Sequence, residues 1–534
     1  MRIKGQRQGI VWAVLAGAVA VSLIVFAAML GPLRAVHIAA SSFLSVAVDG
    51  LAEGTTTHHI PVLDISMDEE KLDSLSADLP WSGGRNVPAV LHHNGIDHKV
   101  RFRYRGVYAT SHFLGGKRSF RLSMKRSNPY APYRKLNVIN PKAFNMVNDH
   151  LAAFVGGTMG VAVPWNELVF VRINDRDHGV MELFEQVDGD FERNRHLVDH
   201  EVPVYKGDYP PITGRALTKG RSLWTNAAHW EYASEADSTL AHARLTSLVD
   251  ALRPDDRPLS ARRDSISRSV DVDAFLRYQA AILLLNTQHI DQYHNQWLVL
   301  DPRTQRFYPV LWDALLLFAQ PGEPLYYVHD ALAYWMLQVP EWRLQRDRYA
   351  WQALQRLHVG GAFDAELDRV LERIRPSVLA DRNKYGNVTL FAEDVHRFSL
   401  VHVISSLAGL RDGTRRWWEL TRERLQANSV EVSRSDSLHL VSSVSAPLRL
   451  SWSVTEALPD VVHVNGAPVV PVAMEGEWSF VVHRDLVAPA GSEDHPYADK
   501  RHFDVAPLDC WVRFANGVPA TLRITNAITD EEVR

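Results

Sequence analysis

His289-Ile290-Asp291-Gln292-Tyr293-His294-Asn295, then Gln296–Leu300, a turn at Asp301–Gln305, the run Arg306–Leu311 and Trp312-Asp313: this stretch decides the reading of the chain. Upstream, Asp271 or Asp273 can cap a helix that carries Phe275, Leu276, Ile282, Leu283 and Leu285 and ends near Gln288. Downstream, Gln296–Leu300 and Arg306–Leu311 read as strands, and the intervening Asp-Pro-Arg-Thr-Gln suits a turn. In simple register about that turn, residues whose numbers sum to about 606 face one another, which sets Asn295 beside Leu311. Asp313 then emerges next to the Asp291–Asn295 loop. Antiparallel neighbours lie about 5 Å apart, so two carboxylates and one amide can share a site. The same residue types also cap turns at strand ends, so spacing alone leaves both readings open.

Working outward, Val87–Leu91 and Lys99–Tyr104 flank Asn94-Gly95, a turn pair that tolerates positive φ. Ser119–Met124 reads as a further strand, and Ala143–Phe154 as a helix ending near Gly156-Gly157. Leu168–Ile173 and Val180–Glu185 form a second hairpin through Asn174–Gly179. Beyond it, Pro340 breaks or begins a helix. Helical periodicity follows at Glu366–Ile374, Val395–Leu410 and Thr414–Gln426, where Trp417 and Trp418 are read as packing residues. Leu438–Val441, Leu448–Trp452, and Val461–Val464 with Val469–Val472 about Asn465-Gly466 suggest a small β-sandwich.

The N-terminal end has its own signal. Arg2, Lys4 and Arg7 precede a run without charge from Gln8 to Leu33. Two dozen helical residues reach roughly 36 Å, enough for a hydrocarbon core of about 30 Å. The cations favour an amino terminus inside. A cleaved signal peptide ending near Ala39 and Ala40 is the rival, but its apolar region would exceed the usual length. The expected organisation is therefore a cytoplasmic tail at 1–8, a transmembrane helix at 9–33, an α+β domain at 58–330, a helical extension at 331–428 and a β-rich module at 429–534. The expected location is the cell membrane, single-pass, with most of the chain outside the cytoplasm. A single cysteine, Cys510, rules out an intrachain disulfide framework. A formal net charge of −4 with both signs interspersed gives no basic stripe for nucleic acid.

An Asp, an Asn, a hairpin and an Asp is the order in which protein kinases place their catalytic residues. There the first Asp receives the substrate hydroxyl proton, and the Asn and last Asp hold magnesium on phosphate. Hard oxygen ligands of this kind suit Mg²⁺. Further motifs lie in order along the chain: Arg105-Gly106 with Ser111, Lys117-Arg-Ser-Phe120, Lys135-Leu-Asn137, Gly160-Val-Ala-Val-Pro164, Gly179-Val-Met-Glu-Leu-Phe-Glu185, Val204-Tyr-Lys206, Asp291 to Asn295, and Tyr308-Pro-Val-Leu-Trp-Asp313. With these the region from about His58 to Phe318 resembles the CotH kinase family, secreted or spore-coat proteins with an atypical protein-kinase-like fold.

The resemblance implies ATP as phosphate donor and Mg²⁺ (or Mn²⁺) as cofactor. It makes Asp291 the catalytic aspartate and Asp313 the metal ligand. Asn295 becomes a second ligand, one residue closer to Asp291 than in ordinary kinases. It also implies nucleotide contacts: Lys117 facing phosphate, Glu185 orienting a cation or reading the nucleotide, and Phe307 stacking on adenine. Three bland roles stand beside these: a solvated strand-end lysine, a turn carboxylate and a core phenylalanine. Two departures are visible. The family's Trp-Asp-x-Asp is Trp312-Asp313-Ala314-Leu315 here, and the Gly-rich segment is only Gly115-Gly116. The function implied is a membrane-anchored phosphotransferase acting on an envelope protein or polysaccharide. The alternative is an inactive kinase-like scaffold that binds cell-surface polymer or a protein partner. His58-His59 and His92-His93 point to opposite strand faces and make no chelate.

Overall fold

The computed structural model describes residues 57–533 except 78, 80–83, 107–116, 142–144, 209–221, 288, 315–324, 387–395, 398, 428, 445, 457–461 and 488–500, together with positions 19, 21, 22 and 40. The fold is mixed α+β and divides into two compact units. One comprises 1–147, 167–184 and 368–409; the other comprises 148–166, 185–367 and 410–534.

The transmembrane helix expected at 9–33, and the fold class that included it, are corrected. Among the described residues no helix is long and apolar enough to cross a membrane. Of 9–33 only Val19, Val21 and Ser22 are described, and the rest of that expectation lies outside the described residues. Length and absence of charge are necessary for a span, which also needs a continuous helix to satisfy its backbone groups.

The first unit is built on a closed barrel: β1 (Val62–Ser66), β2 (Val87–His93), β3 (Ile96–Tyr104), β4 (Phe120–Met124), β5 (Lys135–Ile139), β6 (Asn166–Ile173) and β7 (Arg176–Glu185). Their order is β1-β2-β3-β4-β5-β7-β6, closed by parallel pairing of β1 with β6. Both expected hairpins form. Asn94 and Gly95 have φ of 51° and 75°, and Asn174 and Asp175 have 50° and 60°. These left-handed pairs match the twist of the strands they join. Alternation along β3 and β4 buries Phe102 and Phe120, whose rings stack at 4.7 Å.

The second unit holds a four-stranded sheet of β8 (Val204–Gly207), β9 (Glu231–Tyr232), β10 (Gln296–Leu300) and β11 (Phe307–Pro309), in the order β11-β10-β8-β9. The helix Val272–Leu285 begins at Asp271, whose side chain accepts from Ala274 N, and ends where Asn286 turns left-handed at φ 48°. The hairpin register differs from the expected one by a residue: Leu298 pairs with Pro309 and Leu300 with Phe307. A symmetrical turn was assumed, and the closing pair is instead Asp301 N donating to Arg306 O at 3.0 Å.

Two helices also differ. Asn148–Thr158 ends just past Gly156-Gly157, close to the expected end, but starts later than the expected Ala143. A Cβ on Gly156 would lie 2.5 Å from Leu311 Cδ2, so this glycine permits close packing. Leu400–Gln426 is one helix where the periodicity suggested two. Pro340 takes the first turn of Pro340–Leu354, where its missing N–H costs nothing. Trp417 and Trp418 are buried, and their indole N–H groups donate to Leu283 O at 2.8 Å and Leu284 O at 2.9 Å. They thereby satisfy carbonyls at the end of Val272–Leu285.

The strands between Glu431 and Asn526 include a five-stranded and a four-stranded sheet. One core is shared between these two, with Leu438, Val512 and Phe514 from the first sheet and Leu448, Trp452 and Phe480 from the second. Cys510 belongs to it, and burial pushes its thiol up to about 11.

Candidate functional site

The loop between Val272–Leu285 and β10 gathers three of the residues singled out in the sequence. Asp291 Oδ1 accepts from Tyr293 N at 2.7 Å, His294 N at 3.1 Å and His294 Nδ1 at 2.8 Å. Its Oδ2 has no hydrogen-bond partner among the described residues, and the side chain is 27% exposed. One oxygen therefore orients the loop while the other remains available to an incoming donor.

Asn295 and Asp313 both adopt left-handed backbone, with φ of 60° and 50°. Asparagine and aspartate tolerate that region better than most residues, and such conformations concentrate at functional sites. His289 joins the two. Asn295 Nδ2 donates to His289 O at 2.9 Å, and His289 Nδ1 donates to Asp313 O at 2.8 Å. Asp313 Oδ2 lies 3.6 Å from the same imidazole nitrogen. The His289 and His294 rings meet edge to face at 5.3 Å, which links the Asp291 side of the loop to the Asp313 side. His289 was quoted in the sequence but given no part. Its bridging role depends on tertiary contact and has no spacing signature.

The other expected site residues each have surroundings of their own. Phe307 is fully buried in the apolar core, its ring edge-on to Tyr205 at 6.0 Å. Glu185 is also fully buried. Its carboxylate accepts from Trp165 N at 3.1 Å, Asn194 Nδ2 at 2.7 Å, Arg195 Nη1 at 3.1 Å and Arg195 Nη2 at 2.9 Å. The cation it orients is thus Arg195, which lies 3.5 Å over the Phe191 ring.

Lys117 belongs to the first unit and is 2% exposed. Its Nζ donates to Asp381 Oδ2 at 2.6 Å. That oxygen also accepts from Val180 N at 2.9 Å, and Oδ1 accepts from Asn383 N at 2.8 Å. Burial lowers the Lys117 pKa, while the Asp381 charge opposes the shift. Gly179 makes room for the pair: with φ +98°, a Cβ there would sit 2.1 Å from Asp381 Oδ1. Sequence reasoning missed Asp381, which follows the helix Ala362–Ala380 in a region whose periodicity carries no motif.

Among the described residues no group of three or more His, Cys, Asp or Glu is arranged to hold a metal. Asp313 and Asn295 offer one carboxylate and one amide. Mg²⁺ commonly binds one or two carboxylates together with substrate phosphates and water, so this donor set fits a metal that arrives with a nucleotide.

The model of the family described as CotH kinase protein matches residues 102–398, more than half of the chain. The chain is also similar to the inner spore coat protein H of Bacillus subtilis (strain 168). The two are 23% identical over 343 residues, covering 62% of this chain and 92% of the relative. That relative is by name a coat protein, so the single-pass membrane location expected from the sequence finds no support there and is likewise corrected.

Proposed function

Because this chain belongs to the CotH kinase family, we propose that it is an ATP- and Mg²⁺-dependent phosphotransferase whose acceptor is an envelope or coat protein or a polysaccharide. The observation that carries this is the bridging of Asn295 and Asp313 by His289, beside an Asp291 that has one oxygen available. Asp291 accepts the acceptor hydroxyl proton, which raises the nucleophilicity of that oxygen. Asp313 and Asn295 would hold the metal, which when bound screens phosphate charge. Lys117, kept cationic by Asp381, supplies positive charge in the first unit.

A second reading, the inactive scaffold, is favoured by one observation. Lys117 and Glu185 are already engaged in buried ion pairs. Calorimetric titration of the full chain with ATP and Mg²⁺ separates the two. The enzyme reading expects saturable binding that weakens at least tenfold in Asp313→Ala. Absence of nucleotide binding by the unaltered chain contradicts it and leaves the scaffold.

A further inference from the structure

Asp291 can act on a substrate only if its loop is held still, and the main-chain oxygen of Asp291 has an anchor of its own. Gln296, the first residue of β10, donates from Nε2 to Asp291 O at 2.6 Å and to Asp330 Oδ2 at 3.0 Å. Both neighbours are acceptors, so it is the amide nitrogen that faces them. Gln296 and Asp330 are buried, at 4% and 6% exposure.

The Asp330 carboxylate is divided between two tasks. Oδ1 caps the helix Ala331–Gln338 by accepting from Ala333 N at 2.7 Å, and Oδ2 accepts from Gln296. Among the described residues it has no lysine or arginine partner; the buried His329, whose pKa burial lowers, lies 3.4 Å away. A buried carboxylate is costly unless hydrogen bonds satisfy it. Here the helix cap and the Gln296 amide do so, which fixes the distance between that helix and the loop. A second anchor acts one residue on, where Leu223 N donates to Gln292 O at 2.8 Å.

We infer that Gln296 and Asp330 are positioning residues for phosphate transfer: an amide clamp, anchored on a helix cap, that sets the orientation of Asp291. The inference rests on the phosphotransferase reading. Its test uses the full chain with ATP, Mg²⁺ and whatever acceptor the unaltered protein phosphorylates, itself included. Asp330→Asn retains a helix-capping side chain but turns an amide N–H toward either the cap or Gln296. Gln296→Glu removes the donor to Asp291 O and sets two carboxylates against each other.

Each variant is expected to lower kcat at least tenfold while KM for ATP stays within twofold. Asp330→Asn should keep its melting temperature within a few degrees. An active unaltered protein with both variants at full kcat overturns the clamp. If the unaltered protein transfers no phosphate, the phosphotransferase reading fails, and hydrogen exchange decides the clamp separately. Asp330→Asn should then speed exchange at amides 291–295 and leave the helix Val272–Leu285 unchanged. Unaltered exchange in the loop overturns the inference.

Discussion

Asp291 Oδ1 is held by three donors from its own loop, so the loop dictates where Oδ2 points. Asp291→Ala removes the proposed proton acceptor and Asp313→Ala the carboxylate proposed to hold metal. Each is expected to reduce phosphate transfer at least a thousandfold with the circular dichroism spectrum unchanged. The Lys117–Asp381 pair behaves differently, because both groups are buried. Asp381→Ala leaves a buried cation without its partner and should cost about 3–5 kcal/mol in urea denaturation, whereas Lys117→Met with Asp381→Leu should recover most of that loss. His178 adds a pH dependence in the same unit. Burial, with Arg118 and Lys117 nearby, lowers its pKa from 6.5 to about 4. Above pH 6.5 both folded and unfolded states are neutral there. As pH falls from 6.5 toward 4 the unfolded state binds a proton that the native state does not, so stability declines by up to about 1.4 kcal/mol per pH unit. Melting temperature measured across that interval should fall, and His178→Gln should flatten the slope.

At the scale of elements, the helix Asn148–Thr158 approaches Leu311, just beyond β11, through Gly156. Gly156→Ala, although it favours a helix locally, should destabilise the chain by about 1–3 kcal/mol in chemical denaturation, because the methyl group meets Leu311. Local signals of this kind were partly legible. Asn94-Gly95 announced its hairpin through left-handed turn chemistry, the turn formers of Asn174–Gly179 announced another although its second strand begins at Arg176, and Asp271 announced its helix. Gly156 and Gly157 do lie close to the end of their helix, but the close approach of Leu311 that Gly156 admits was invisible without that neighbour. The one-residue error at the Asp301 turn has the same origin. Register depends on which pair closes the turn, and turn composition constrains that weakly.

For the whole molecule, the family match runs to residue 398, whereas the motifs quoted from the sequence end by Phe318. The difference contains Asp381, the partner of Lys117. A motif search rewards fixed spacing. A contact 264 positions away in sequence has none. The loop around Asp291 was legible because its polar residues lie within a few positions of one another. Phe307 matches the core alternative weighed for it, whereas the burial of Glu185, held by Trp165, Asn194 and Arg195, has no fixed-spacing signature. The N-terminal run, apart from Val19, Val21 and Ser22, lies outside the described residues, among which no helix is long and apolar enough to cross a membrane. Incubating the purified full chain with γ-labelled ATP and Mg²⁺ shows whether the Asp291–Asn295–Asp313 cluster transfers phosphate. Label on the protein or on an added coat or envelope acceptor, absent with Asp291→Ala and with Asp313→Ala, is the result predicted. No label with the unaltered protein, or equal label with both variants, would contradict it.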